Sequence, residues 1–107
     1  MSYVYGLKRC RETILYLSSE QNFEERMVKA FSEIRVIHSE DVSQQHFKEI
    51  QVWRNKYLSI TELSVTKEGA LKEVDKGKEL QNLATELIWL CVEIIVHNAR
   101  NSKKQDF

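Results

Sequence analysis

Apolar side chains recur along this chain in alternating steps of four and three, and they do so in four separate series. Tyr3, Leu7, Cys10, Ile14 and Leu17 make the first; Phe23, Met27, Ala30, Ile34 and Ile37 make the second. Ile50, Trp53, Tyr57 and Ile60 make the third, with His46 on the same line and Phe47 beside it. Leu80, Ala84, Leu87, Cys91 and Ile94 make the fourth. At about 3.6 residues per turn, each series lies along one face of a helix. No segment alternates with period two for long enough to make a good strand. The chain also has no proline and only three glycines in 107 residues. That removes the usual punctuation of sandwiches, barrels and collagen-like chains. A chain of this length makes one compact domain.

The breaks between series have chemical signatures. Asn22 with Glu25 three residues on is a capping-box pattern for the second helix, and Asp41 with Gln44 is the same pattern for the third. Residues 18–21 and 39–40 are then short connections. Residues 59–66 read as the longest linker, because β-branched and hydroxyl side chains compete with helix formation there. Gly69 opens a short helical turn over 69–74, and Gly77 kinks or ends it before the last helix, 78–98. Short connections make consecutive helices antiparallel. The expected fold is all-α: an antiparallel up-down-up-down four-helix bundle, with a short extra helical turn before the last helix. It occupies residues 1–99, followed by a polar, mobile tail over 100–107.

The last helix carries more apolar residues than its seam requires. Ile88, Trp89, Val92, Ile95 and Val96 lie off the stripe. A helix apolar all round is covered all round. Either this helix is central and its neighbours wrap it, or part of the face, with Trp89, Val92 and Val96 foremost, is a homodimer or partner interface.

Sixteen basic residues balance sixteen acidic ones. Zero net charge argues against a dedicated nucleic-acid or membrane binder only if the charge is evenly spread. Antiparallel packing places Lys8, Arg9 and Arg11 beside Arg100, Lys103 and Lys104, with Glu40 and Asp41 at the same end. Glu20, Glu24, Glu25, Glu62 and Glu68 fall at the other. Helix dipoles account for Glu24, Glu25 and the basic C-terminal residues. They do not account for Lys8, Arg9 and Arg11, which with Tyr5 could touch phosphate. No recognition helix, zinc finger or RNA-binding aromatic motif accompanies them.

The N-terminal residues lack the apolar core of a secretory signal. The longest apolar run, 87–96, is interrupted only by Glu93 and is about half a bilayer span. Cys10 and Cys91 make no disulfide framework. They fall at similar depth in the first and last helices, where they serve as small packing residues. These features place the chain in the cytoplasm, with no membrane contact.

Sites for chemistry are sparse. His38, His46 and His97 lack metal-ligand spacing. A metal site joining His38 and His97 with Glu40 and Asp41 is the nearest approach to one, and the expectation is no metal and no cofactor. His46 reads as a boundary histidine with one ring face packed. The arginine–polar–histidine pattern of HEPN nucleases is absent. Arg35 precedes His38 by only three, Arg54 and Asn55 are followed by no histidine, and the string His97-Asn98-Ala99-Arg100 has the order reversed. No phosphate loop or nucleophile elbow is present. Glu93, inside the apolar run and seven residues from Glu86, is the most notable carboxylate; it faces solvent or pairs with His97. No catalytic residue and no small-molecule substrate are expected.

The stretch from Asn22 through Glu25-Arg26-Met27-Val28-Lys29-Ala30-Phe31, followed by Ile34, Ile37 and Glu40-Asp41-Val42, resembles a group of short bacterial helical proteins. In that group a Glu-Arg-x-x-x-Ala helix precedes a Glu-Asp-Leu-Pro step and another helix. Lys67-Glu68-Gly69 resembles its Gly-containing linker. The likeness spans residues 5–95 and departs at the proline, where this chain has Ser43. It implies a small bacterial four-helix protein and carries no activity or site.

These readings lead to a non-enzymatic interaction module that binds itself, as a homodimer or higher oligomer, or another protein. It would act as an accessory or adaptor subunit of a larger bacterial system through Ile88, Trp89, Val92, Ile95 and Val96. Two alternatives stand beside it. One is a nucleic-acid-binding accessory protein using Lys8, Arg9, Arg11, Arg100, Lys103 and Lys104. The other is a small inhibitor or immunity protein whose acidic end meets a basic target.

Overall fold

The computed structural model describes the chain over residues 2–66 and 70–105, and its side chains over 2–60 and 77–101. Four helices follow in order: α1 Tyr3–Leu17, α2 Phe23–Ile34, α3 Gln44–Thr66 and α4 Ala70–Gln105. A single 3-10 turn, Ser39–Asp41, separates α2 from α3, and the described residues contain no strand. At about 1.5 Å per residue, the 36 residues of α4 span about 54 Å. That length sets the 55 Å long axis of the molecule.

Side chains set the helix starts. Ser2 Oγ accepts from the Tyr5 N–H at the head of α1. Asn22 caps α2 as expected, its Oδ1 accepting from the Glu25 N–H at 2.9 Å, but the return bond of the box is replaced: Glu25 Oε1 accepts from the Asn22 side-chain Nδ2 at 3.1 Å. The expected Asp41–Gln44 box is not what starts α3. Ser43 is the cap, with its Oγ accepting from the His46 N–H at 3.1 Å. Asp41 is drawn inward instead: its Oδ2 accepts from the His38 N–H at 2.8 Å across the 3-10 turn, and the residue is fully buried.

The helices run antiparallel where they touch. Tyr3 meets Asn98 and Cys10 meets Cys91 between α1 and α4. Arg9 meets Glu33, and Leu17 meets Arg26, between α1 and α2. His46 meets Glu93, and Lys56 meets Glu86, between α3 and α4. In each pair, numbers rising along one helix fall along the other. The four seams fill a common core that includes Met27, Ile34, Ile50, Leu87 and Ile94. Leu83 and Leu90 widen the buried face of α4. Phe31 of α2 reaches α3, stacking on Tyr57 at 4.9 Å and lying 6.5 Å from Trp53. Trp53 Nε1 donates to the Leu83 carbonyl at 2.8 Å, so the largest buried ring keeps a partner for its one polar atom.

Three boundaries differ from expectation. Residues 59–66 are the last turns of α3, and α4 is continuous through Gly77. The separate short turn before the last helix is therefore absent: its described part, from Ala70, belongs to α4. β-Branched residues cost only tenths of a kcal/mol in a helix and glycine about 1 kcal/mol, less than a long packed face returns. Gly69 and the linker Lys67-Glu68-Gly69 lie outside the described residues. The boundary at 99/100 falls inside α4, which continues to Gln105.

Two glycines have opposite surroundings. A Cβ on Gly6 would overlap the Asp41 carbonyl oxygen and sit 2.9 Å from Asn98 Nδ2, whereas one on Gly77 would meet nothing within 4 Å. Gly6→Ala is expected to lose about 1–3 kcal/mol by overpacking, despite its better helix propensity. Gly77→Ala gains about 0.5–1 kcal/mol. Denaturant unfolding of the two variants reads both signs. Tyr57 supplies a pH test. Burial, aided by the negative charge of Glu24, raises its phenol above the ordinary value. The unfolded chain ionises this group first, so its contribution is intact below about pH 10 and is lost as pH rises further. Unfolding midpoints above pH 10 should fall less steeply in Tyr57→Phe.

Candidate functional site

The outer side of α4 and its junction with α3 hold the features that the core does not use. At about 100° per residue, Trp89 and Val96 point in nearly the same direction, with Val92 and Ile88 to one side. All four are exposed, Trp89 most of all at 65 %. Ile95, at the edge of the arc, is half-buried and packs on the core. The reading in which neighbouring helices wrap α4 entirely is thus not what forms: α1 and α3 cover its inner face and leave this stripe to solvent.

Beside the stripe, α3 and α4 bound an open groove. Trp53 and Leu90 line its base. Lys48, Glu49, Val52 and Lys56 come from α3, and Glu86, Trp89 and Glu93 from α4. Val52 is 55 % exposed, so apolar surface continues from the stripe onto α3. Lys56 Nζ lies 3.4 Å from Glu86 Oε1, with both side chains about half exposed. A pair in that setting contributes at most about 1 kcal/mol.

At the end of this groove His46, Glu49 and Glu93 come together, their ligand-capable atoms all within 4.8 Å of one another. It is the one such cluster of three among the described residues. Glu93 faces solvent, as one expectation held, but its neighbour is His46 of α3 at 3.9 Å rather than His97. His97 stands behind His46, edge-on at 5.3 Å, and its Nδ1 lies 3.3 Å from Asn98 Oδ1. His38 is exposed and joins no such cluster. Sequence reading missed this trio, although two signals were present. His46 and Glu49 share a helix face at i, i+3, and counting depth along antiparallel helices pairs position 46 with position 93.

The basic residues are less concentrated than their sequence positions imply. Arg9 is half-buried, ion-paired with Glu33 of α2, and stacked over the Tyr5 ring at 5.3 Å. Lys8, Arg11 and Arg100 are exposed. Lys103 and Lys104 lie in the last turns of α4, their side chains outside the described set.

Cys10 and Cys91 are buried neighbours and both are free thiols. A hydrogen bond with Cys10, then burial, raises the Cys91 thiol well above its usual range, while Thr13 opposes this weakly. The segment Gly77–Asn101 of α4 is long and apolar enough, by length and composition, to cross a membrane. In this fold its inner face is the core of the bundle. No family model matches the chain, and neither a curated protein nor a solved structure matches it.

Because both thiols are fully buried, both cysteines should resist an aromatic disulfide reagent in the native protein. They should react together, at two thiols per chain, only as the fold opens in denaturant. Stopped-flow absorbance against denaturant concentration measures this.

Proposed function

We propose that this protein is a non-enzymatic, self-associating helical module, and that the outer stripe of α4 is the surface by which it binds a second copy. The observation behind this reading is the exposure of Trp89 together with Ile88, Val92 and Val96 on one face of the longest helix. Isolated exposed apolar residues are ordinary, whereas a contiguous row centred on tryptophan marks an interface. A two-fold axis crossing α4 near Val92 would lay the stripe against its own copy in antiparallel register, with Trp89 near the partner's side of residue 96. Such an interface needs no complementary partner and leaves Glu86 and Glu93 at its rim. Two buried free thiols suit a reducing compartment, and we place the protein in the cytoplasm as an accessory subunit. The engagement of Arg9 by Glu33 removes one of the six cations on which phosphate binding would rest.

Sedimentation equilibrium tests the reading. The native chain is expected to run as a dimer. Trp89→Lys should weaken association by at least about 2 kcal/mol, or about 30-fold, while leaving the unfolding midpoint unchanged at concentrations where both chains are monomeric, since the side chain is mostly outside the core. A strict monomer at every accessible concentration would remove the proposal. Flotation of the native chain with lipid vesicles would instead assign the same stripe to a membrane.

A further inference from the structure

His46 is an unusual histidine for a bundle of this size. Its side chain is 13 % exposed. Its Nδ1 is enclosed and has no hydrogen-bond partner among the described residues. Its Nε2 lies 3.9 Å from Glu93 Oε1, too far for a hydrogen bond. An enclosed imidazole normally pairs at least one nitrogen. Here neither does, and the ring is held in place by packing, with His97 edge-on behind it at 5.3 Å.

Two carboxylates stand at the open side of this ring. Glu49 comes from the next turn of α3 and Glu93 from α4, and both are exposed. All three ligand-capable atoms lie within 4.8 Å of one another. Donors around a tetrahedral ion with bonds of about 2.0–2.1 Å stand about 3.4 Å apart. The difference closes by an ångström-scale swing of two solvent-exposed glutamates, with no change in the helices. We propose that His46, Glu49 and Glu93 bind one divalent transition-metal ion of the zinc class, clipping the start of α3 to the C-terminal half of α4.

The donor set selects the ion. One imidazole nitrogen and two carboxylate oxygens favour a borderline cation over magnesium or calcium, which take oxygen ligands, and the lack of a thiolate disfavours copper(I). The two carboxylates neutralise a dication, and Nε2 exchanges its 3.9 Å approach to Glu93 for a metal bond. Three protein ligands leave a fourth position to water, as in open zinc sites. Because the ligands come from two helices, binding also stabilises the fold by mass action.

Calorimetric titration of the chelator-treated full-length protein with zinc chloride tests the site, with cobalt(II) as the spectroscopic probe. One ion per chain is expected, with visible cobalt d–d bands of tetrahedral intensity and a zinc-dependent rise in thermal midpoint. Glu49→Gln and Glu93→Gln change exposed side chains, so both should fold as the native chain does without metal. Each should nonetheless weaken zinc binding by at least the about 10–100-fold that changes beyond the ligands themselves cost. His38→Gln should leave binding intact. Absence of a one-to-one isotherm at about 100 μM zinc, or binding that survives in both glutamine variants, would overturn the site. Sedimentation of Glu49→Gln separates this result from self-association, because Glu49 lies on α3, outside the apolar stripe and its rim.

Discussion

The fold closes on one buried amide. Asn98, fully buried near the end of the central helix, donates through Nδ2 to the carbonyls of Tyr3 and Asp41, each at 2.9 Å. Those carbonyls belong to the first turn of α1 and to the turn between α2 and α3. One side chain therefore ties three distant stretches of chain at a single point. Each bond returns only about 1 kcal/mol net, but an unmet buried partner would cost about 1–3 kcal/mol. The junction is therefore more demanding of geometry than its energy alone suggests. Gly6 makes the approach feasible, because any Cβ there would occupy the space of the Asp41 carbonyl.

That closure determines what α4 can show to its surroundings. With Asn98 held at one end, and Cys91, Leu87 and Leu80 packed inward along its length, the helix has no freedom to rotate. Trp89, Val92 and Val96 are then directed outward by the same periodicity that buries the seam. The shoulder toward α3 carries Glu86 and Glu93, and the second of these meets His46. The apolar stripe and the histidine–glutamate trio are thus two consequences of a single helix orientation. They remain chemically separate, one suited to another protein surface and the other to a cation.

Much of the architecture was legible in the sequence because it depends on periodicity. The four seams, the Asn22 cap and the adjacency of Cys10 and Cys91 all follow from counting residues along antiparallel helices. Features that depend on energies of about 1 kcal/mol were not legible. Gly77 and the β-branched residues between 59 and 66 oppose helix formation weakly, and tertiary packing overrode them. Asp41 looked like a helix cap, but burial within the 3-10 turn engages its carboxylate and leaves Ser43 to start α3. The site divided in the same way. The outer stripe could be read from composition, whereas the meeting of His46, Glu49 and Glu93 required the register of α3 on α4. Arg9 shows the converse: a basic cluster in sequence was partly spent on an internal ion pair.

Tryptophan emission followed over protein concentration tests the central claim most directly. Trp53 is buried whether or not the chain associates, whereas Trp89 is 65 % exposed in the single chain. Covering the α4 stripe with a second copy must move Trp89 from water into an apolar setting. The account predicts a saturable shift of the emission to shorter wavelength as concentration rises, absent when Trp89 is replaced. Emission characteristic of a water-exposed indole at every concentration would contradict it.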